Sequence, residues 1–401
     1  MKLQMKVVII LCLLVLLTSC NGKRELNELG IVLAMGIDRK DNQYLISLQL
    51  VNPSSIASQG NTGNRSPATV YTTSGKTIFE AVRRLTKETP RKNYFAHLRI
   101  LILSEDLARQ QGIGSVLDLM VRDPEFRKDF YVLISKGTSA SSILSVLTPI
   151  EKIPANKLFN SLETSEKVWA PSKAFTLDEL IVTIARIGKE AALSGVQIKG
   201  EAQGGQSPEN VSKIVPNAKL SITNVAAFKE DKLIGWLNEK ESKGYNYITD
   251  NIHSSIGSVP CPSNKQKKID IEVVRSKTKT KARIDKNGIP IIDVTIESES
   301  NVGEVECPAD LLNPRTIQIL EQSSNNHIKK LMEAALKKAQ EMKSDMFGFG
   351  DLIYRKHPTE WQKLKSDWSE VGFLKAKVNF HVHDHINHLG TMNNSPLQRI
   401  Q

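Results

Sequence analysis

The sequence predicts an α+β protein with more than one domain, and three observations support that prediction. The chain has 401 residues, more than one hydrophobic core of ordinary size accommodates. Its first half alternates strand-like apolar runs with amphipathic helical segments, which is typical of mixed α/β layers. Its second half reads as β-hairpins followed by one long helix, which predicts a C-terminal antiparallel sheet packed by that helix.

The first twenty residues have the features of a bacterial lipoprotein signal. Lys2 and Lys6 precede an uncharged apolar run, Val7–Leu17. This run is shorter than the ~20 residues of a membrane-spanning helix and has the length of a signal-peptide core. It is followed by Thr-Ser-Cys, and this ending resembles the lipobox at which such signals are cut. The alternative is an uncleaved anchor with an incidental cysteine.

We therefore expect residues 1–19 to be removed and Cys20 to carry an S-diacylglycerol, with or without a further N-acyl chain. Two acyl chains hold a protein stably on a membrane, whereas one gives marginal binding. The body of the chain is then expected at the outer face of the cell membrane. The whole sequence has a formal net charge of +11, of which +9 remains once Lys2 and Lys6 leave with the signal; this surplus suits anionic lipid headgroups in that place better than nucleic acid. A dispersed solvated surface would also account for most of this charge.

The first half, residues 20–198, is predicted to open with a β-hairpin formed by Ile31–Ile37 and Tyr44–Val51. A polar segment rich in glycine and serine, residues 52–67, is expected to be a mobile loop. Beyond it we predict strands at Leu98–Ser104 and Phe130–Ser135, and helices at Thr77–Thr86, Ile113–Met120, Ser139–Leu147, Ala155–Glu166 and Leu177–Ile187. Glycines and prolines in residues 199–217 predict an interdomain linker before a C-terminal α+β domain, residues 218–390, and a flexible tail, residues 391–401.

In the second half, Leu220–Phe228 and Lys232–Leu237 are expected to pair as a hairpin, and Ile269–Val274 to form another strand. Lys277–Ile284 and Ile291–Ser298 flank a turn that contains Gly288. A three-residue loop with Gly288 in the left-handed region would place Lys281 opposite Asp293 and Lys277 opposite Glu297. A two-residue loop would instead spoil the buried face of the hairpin. We therefore predict the first register, and we interpret the basic row as a solvent face rather than a phosphate-binding stripe.

The longest helix is predicted to begin at Asn313-Pro314, where asparagine is a favourable N-cap and proline a favourable first helical residue. Its apolar face is expected to continue to Met346 at a spacing of three or four residues. A shorter helix after His357-Pro358 should carry Trp361, Leu364 and Trp368 on one face. A last strand, Lys375–Ile386, would close the domain.

Cys261 and Cys307 are the cysteines left to pair, because Cys12 leaves with the signal and Cys20 carries lipid. The outer face of a membrane permits a disulfide. Their separation along the sequence does not fix their distance in space, so a disulfide and two free thiols both remain open.

Three further patterns bear on possible functional sites. His381, His383 and His385 alternate along the last strand, and such histidines can chelate zinc or copper; a solvent-exposed face is the preferred interpretation, and no metal or cofactor is expected. Asp345–Gly350 superficially resembles a glycine loop, but a helix stop and tight turn with Gly348 and Gly350 at positive φ explains it. The sequence contains no Gly-x-Ser-x-Gly elbow, and we expect no catalytic residues.

Four aromatic residues, Phe228, Trp236, Tyr245 and Tyr247, are interpreted as core packing. Because aromatic side chains are enriched at interfaces, Trp236 with Glu239 and Glu241 is kept as a candidate contact surface.

Several segments, in matching order and spacing, resemble the Ger(x)C family, the C-subunit lipoproteins of spore germinant receptors. The likeness extends over nearly the whole chain after the lipobox. The segments that carry it are Glu25–Asp38, Tyr44–Val51, Phe228–Leu237, Glu239–Gly244, Asp345–Gly350, Pro358–Trp361, Trp368 and Gly390.

The resemblance implies three mixed α/β domains of unusual topology and a role without chemistry. It implies a lipid-anchored subunit of a nutrient germinant receptor in the spore inner membrane, needed for germination, beside two integral membrane subunits. The alternative is a solute-binding lipoprotein of an uptake system. That class would show two similar α/β lobes around a ligand cleft, which the second half of this sequence does not match.

Overall fold

The computed structural model describes residues 28–53 and 66–389, together with Gln4. Within this part of the chain the strands form a nine-stranded and a four-stranded sheet. The predictions for the signal peptide, for Cys20, for most of the loop 52–67 and for the tail 391–401 fall outside the described residues. The same holds for Gly390.

The larger sheet has the order β3-β2-β1-β5-β6-β7-β8-β9, with β4 beside the start of β1. Its strands are β1 (Leu29–Lys40), β2 (Gln43–Val51), β3 (Ala68–Gly75), β4 (Lys92–Tyr94), β5 (Ile100–Ser104), β6 (Tyr131–Ser135), β7 (Ala192–Gly200), β8 (Ala218–Lys229) and β9 (Lys232–Trp236). Strands β1, β5, β6 and β7 run parallel. Their carboxyl ends therefore meet at one edge of the sheet, here called the carboxyl edge. The opposite edge, where β1 begins, is called the amino edge.

Helices cover both faces of this sheet, as a mixed α/β layer requires. They are α1 (Ile78–Arg84), α2 (Glu105–Gln110), α3 (Gly114–Arg122), α4 (Ala140–Leu144), α5 (Pro154–Val168), α6 (Leu177–Ile184) and α7 (Glu209–Ser212). Strand β5 shows the two layers directly: Leu101 and Leu103 lie in one buried cluster, and Ile100 and Ile102 lie in another. The five helices predicted in this half are present, while α2 and α7 were not predicted.

Strands β3, β4 and β7 of this sheet were not predicted from the sequence. Strand β7 was missed because its small residues alternate weakly; Gly195, for example, leaves room for Trp236, which a Cβ would approach to 2.5 Å. The predicted linker, residues 199–217, begins inside β7 and ends just before β8, and these two strands pair with each other. The buried Asn210 stabilises this connection, because its side chain donates to the Leu147 carbonyl and accepts from the Ala218 amide. Gly200 adopts a positive φ of +99° at its start. The connection therefore joins neighbours in one sheet, and β8 and β9 extend the larger sheet.

The smaller sheet has the order β10-β11-β12-β13. Its strands are β10 (Ser255–Pro260), β11 (Lys268–Ile284), β12 (Pro290–Val305) and β13 (Lys377–His388). The prediction of an antiparallel sheet is confirmed for β10 to β12 and wrong for β13, which runs parallel to β12. The long helical connection between β12 and β13 allows a parallel crossover, which a hairpin turn does not.

The predicted register of the long hairpin is confirmed. Lys281 lies opposite Asp293 and Lys277 opposite Glu297, and Gly288 has φ +78°. The basic row is solvent-facing and has acidic partners, since Arg283 lies 3.1 Å from Asp293.

Five helices pack against the smaller sheet and its border with the larger one. They are α8 (Glu239–Ile248), α9 (Pro314–Glu341), α10 (Phe349–Lys356), α11 (Pro358–Leu364) and α12 (Phe373–Lys375), with a π-helical turn at Trp368–Gly372 before α12. Asn313 caps α9 as predicted, because its side chain accepts a hydrogen bond from the Arg315 amide. The helix ends at Glu341, before Met342 and Met346.

The two sheets share a hydrophobic core. One buried cluster contains Ala192 and Val225 of the larger sheet, Val294 of β12, Met332 of α9 and Trp368 of the π-helical turn. Among the described residues, no helix has both the length and the hydropathy that crossing a bilayer requires.

Candidate functional site

A cleft at the carboxyl edge of the larger sheet is the candidate functional site. It has a volume of about 620 Å³ and is lined by Asp38, Arg39, Lys40, Leu45, Ser104, Glu105, Asp106, Gly137, Thr138, Ser139 and Ser141. The carboxyl ends of parallel strands are where α/β sheets commonly bind ligands. The sequence-based analysis missed this cleft, because its residues come from the ends of β1, β5 and β6, far apart along the chain.

Asp38 is the buried carboxylate of the cleft, with 5% exposure. It accepts hydrogen bonds from the amides of Ala140 (2.8 Å) and Ser141 (3.0 Å). Burial raises the pKa of Asp38 above its usual value, against the lowering effect of these bonds and of Ser104. Asp38 thus connects the end of β1 to the start of α4 and is a buried residue of the cleft lining.

Glu105, the first residue of α2, connects the cleft to Trp236. The Trp236 indole Nε1 donates to Glu105 Oε1 at 2.9 Å, and the Gly137 amide donates to Glu105 Oε2 at 3.1 Å. Burial would raise the pKa of Glu105, but the hydrogen bonds from Trp236, Arg109 and Gly137 together lower it. The Glu105 carboxylate therefore favours its charged form. It lines the same cleft as Asp38 and is hydrogen-bonded to the half-buried Trp236.

The lining offers many polar groups to a ligand. It contains hydroxyls, carboxylates and two basic side chains, and its residues include neither histidine nor cysteine. The Ser139 hydroxyl forms a hydrogen bond of 2.7 Å with the Ser142 hydroxyl. The Ser104 hydroxyl hydrogen-bonds the Asp38 carboxylate.

The other two interface candidates lie in α8, a helix that was not predicted. Asn238 and Glu241 form a capping box, in which the Glu241 carboxylate accepts from the Asn238 amide at 2.7 Å. Glu241 therefore has a local role, whereas Glu239 in the first turn is exposed. Tyr245 and Tyr247 are each 2% exposed, which confirms their interpretation as core residues. Phe228 is likewise buried.

Cys261 and Cys307 are joined by a disulfide, with their Cα atoms 6.5 Å apart. Cys261 follows β10 and Cys307 follows β12, so the bond spans β11. Both are buried in a small apolar cluster.

The histidines of β13 face solvent, as expected from the alternation of the strand. Among the described residues, no group of three or more His, Cys, Asp or Glu side chains is placed to hold a metal ion. The buried member of this stretch is Asp384, which the sequence did not single out. It accepts hydrogen bonds from the hydroxyls of Ser298 and Ser300 (both 2.6 Å) and of Ser324 (2.5 Å).

The Asp345–Gly350 segment forms a buried cap for α10. The Asp345 carboxylate accepts from the amides of Gly348 (2.9 Å), Phe349 (3.1 Å) and Gly350 (2.7 Å), and from Trp368 Nε1 (2.9 Å). Burial raises the pKa of Asp345 although these four donors oppose the rise. Gly348 has the predicted positive φ, +81°.

The corresponding prediction for Gly350 is wrong. Gly350 lies inside α10, and it has to be glycine because a Cβ would come within 2.6 Å of Trp368 Nε1 and 2.7 Å of the Gly188 carbonyl. Gly235 and Trp236 belong to β9. The Asp-Met-Phe-Gly-Phe-Gly segment is therefore explained by packing and capping.

Comparisons with known proteins match almost the whole chain. Residues 22–198 match the family described as "Spore germination protein N-terminal domain". Residues 223–390 match the family described as "Spore germination B3/GerAC like, C-terminal". The two matches are consecutive and leave the connection between β7 and β8 between them.

Individual relatives cover the chain from end to end. Spore germination protein KC of Bacillus subtilis (strain 168) is 31% identical over 392 residues, covering 96% of each chain. Spore germination protein B3 of the same organism is 26% identical over 401 residues, covering 98% of this chain and 100% of the relative. The crystal structure of the GerBC protein matches with a TM-score of 0.53 at 20% identity, covering 88% of this chain and 96% of that one. The chain belongs to the Ger(x)C family of spore germination proteins.

Proposed function

We propose that this chain is the lipid-anchored, non-enzymatic C subunit of a nutrient germinant receptor in the spore inner membrane. It works beside two integral membrane subunits of the same receptor. The observation that carries this proposal is the end-to-end match of both halves to spore germination proteins, combined with a lipobox-like Cys20 immediately before the matched region. The non-enzymatic role is supported by the likeness to this family, whose matched relatives are named as spore germination proteins.

The alternative is a solute-binding lipoprotein of an uptake system. Such proteins bind their ligand between two similar lobes. Here the two sheets differ in strand number and order, and the cleft at Asp38 lies at one edge of a single sheet. These features favour the receptor subunit.

Trp236, Glu239 and Glu241 remain our candidates for contact with the membrane subunits. Reversal of both glutamates would disturb the helix cap as well as any contact, because Glu241 is part of the capping box. Glu239 is exposed, and its charge can be reversed while the cap is kept.

Replacement of the anchoring residue tests the proposal. Spores carrying Cys20→Ala should lose the germinant response, because without acyl chains the protein leaves the membrane. The measurement is nutrient germination, with immunoblots of this protein and of both membrane subunits in the inner-membrane fraction.

The matched control is Cys12→Ala, which removes a cysteine from the predicted signal and leaves the lipobox intact. It should germinate normally. Normal germination of Cys20→Ala spores, with the protein still in the membrane fraction, would mean that other contacts suffice and that the anchor is dispensable.

A further inference from the structure

The amino edge of the larger sheet carries basic side chains next to the point where the described chain begins. Strand β4 pairs in parallel with the first residues of β1, Leu29 opposite Lys92 and Ile31 opposite Tyr94. The segment 87–99 that contains β4 has four basic residues, Lys87, Arg91, Lys92 and Arg99, and one acidic residue, Glu88. This edge therefore has a local positive excess.

Two of these basic residues are available to an outside partner. Lys92 is engaged with Glu125 at 2.7 Å, and the Arg99 guanidinium lies over the Phe159 ring. Lys87 and Arg91 are exposed, and neither forms an ion pair with another described residue. Their charges are thus left for a ligand or for solvent.

Arg91 also lines a cavity of about 320 Å³ at the same edge. The cavity lies beside Gly30 and between the end of β2 and the start of β3; its lining includes the apolar side chains of Leu50, Val51 and Tyr71. A guanidinium beside an apolar wall suits a group that carries a phosphate on a hydrocarbon-rich body, because Arg binds phosphate through two parallel hydrogen bonds.

The length of the preceding chain places a bilayer near this edge. Eight residues lie between Cys20 and Leu29, so a lipid on Cys20 is within about 30 Å of the start of β1 even when the chain is fully extended. The carboxyl edge lies roughly 36 Å further along β1, at about 3.3 Å per residue. A short tether therefore brings the amino edge to the membrane surface first.

We propose that Lys87, Arg91 and the cavity beside Gly30 form a docking surface for the headgroups of anionic phospholipids. The proposal rests on the anchoring at Cys20 proposed above. Basic residues next to a lipid anchor add to membrane attachment through the negative surface potential. Docking would also fix the orientation of the sheet, with β1 rising from the bilayer and the cleft at Asp38 facing away from it.

Vesicle binding by the mature chain without its lipid tests this surface. The protein is residues 20–401 with Cys20→Ala, and the vesicles contain phosphatidylcholine either alone or mixed with phosphatidylglycerol. We expect co-sedimentation with the anionic vesicles only, weakened by added salt. The Lys87→Gln/Arg91→Gln variant should bind about 25-fold more weakly, at roughly 5-fold for each lost charge.

The matched control is Lys199→Gln/Lys219→Gln, which removes the same charge from a pair of exposed residues at the carboxyl edge. It should bind like the parent protein, and circular dichroism should show all variants folded. An equal loss of vesicle binding in both double variants would show that binding depends only on net charge, and would overturn the proposal. Absence of binding to anionic vesicles would overturn it too.

The outcomes separate this inference from the proposed function. If Cys20→Ala abolishes germination while the vesicles bind nothing, only the docking surface is refuted. If the vesicles bind as expected while Cys20→Ala spores germinate normally, only the anchor is refuted.

Discussion

Asp384 illustrates what single residues contribute to this fold. Its carboxylate is 2% exposed and meets three serine hydroxyls, two from β12 and one from α9. A buried charged group is stable when its hydrogen bonds are satisfied, so Asp384 holds the long helix at one position on the sheet. The alternation of β13 predicted that its histidines point outward. It did not reveal the serines that meet Asp384, because they are brought together by the register of β12 and β13 and by the packing of α9.

His327 leads to a prediction about acidity. It lies half-buried on α9 against Gly257 of β10. Burial, and then the positive charge of Lys243 with that of Lys240 and Lys330, lowers the pKa of His327 below its usual value. The unfolded chain therefore binds a proton that the folded chain does not. The free energy of unfolding should then fall as the pH drops through about 6.5.

The His327→Gln variant should lose less stability than the parent protein when the pH is lowered from about 7.5 to about 5.5. Thermal unfolding followed by circular dichroism at both pH values measures this difference. His383→Gln, which removes an exposed histidine from β13, is measured alongside for comparison. Identical slopes in all three proteins would show that His327 does not titrate in this range.

At the scale of elements, α8 shows why some segments escaped prediction. Its buried residues include polar ones as well as the apolar Tyr245, Tyr247 and Ile248, and polar side chains among them serve neighbouring backbone groups. The Asn246 amide donates to the carbonyls of Ala170 and Ser172, and the Ser242 hydroxyl accepts from the Val225 amide. An apolar periodicity of three or four residues is therefore missing from α8. The helix α9 has that periodicity and a cap, and it was predicted.

Gly244 sets how closely α8 packs on α9. In an exposed helix interior, glycine to alanine stabilises by about 1 kcal/mol. Here a Cβ would lie 2.0 Å from the Leu331 carbonyl oxygen, so the two helices would have to separate. We expect Gly244→Ala to lower the free energy of unfolding by about 3 kcal/mol, measured by urea denaturation.

The same substitution at Gly303 in β12 is the control. A Cβ there meets its nearest atom, the Asp270 carbonyl oxygen, at 3.6 Å, which is ordinary contact. Gly303→Ala should change stability little. A Gly244→Ala protein as stable as the parent would contradict the close packing of α8 on α9.

On the scale of the whole molecule, the disulfide joins the two outer strands, β10 and β12, of a three-strand ladder. Val259 pairs with Ile269, and Ile269 with Val305, which brings the cysteines that follow β10 and β12 to the same side. The sequence left this pairing open because the distance depends on β10, a strand that it did not predict. A loop of the 46-residue separation corresponds to about 4 kcal/mol in the chain-entropy model.

We expect a reducing agent to lower the free energy of unfolding of the purified protein by up to about 4 kcal/mol. The Cys261→Ser/Cys307→Ser variant should start at that lower value and be insensitive to the reducing agent. Titration of free thiols under denaturing conditions gives an independent reading. In residues 20–401 carrying Cys20→Ala, the remaining cysteines are Cys261 and Cys307, and two reactive thiols before reduction would contradict the bond.

The fold class followed from the alternation of elements, which local sequence patterns record. The division of the chain between the two sheets did not follow, since β8 and β9 lie in the larger sheet while Ala192 and Val225 share a core with the second half. Contacts of this kind depend on pairing between distant segments. For the same reason the cleft at Asp38 became visible only once β1, β5 and β6 were side by side.

The position of β1 has a mechanical consequence. It lies inside the sheet, hydrogen-bonded to β2 on one side and to β5 on the other. A pull on the chain ahead of Leu29 is directed along this strand, across its ladder of hydrogen bonds. The load is then shared by many bonds in shear, which break together, whereas a pull on an edge strand would open them one after another. A protein pulled by its amino-terminal end through such a strand resists unfolding, and tension at that end is carried along β1 to the far side of the sheet.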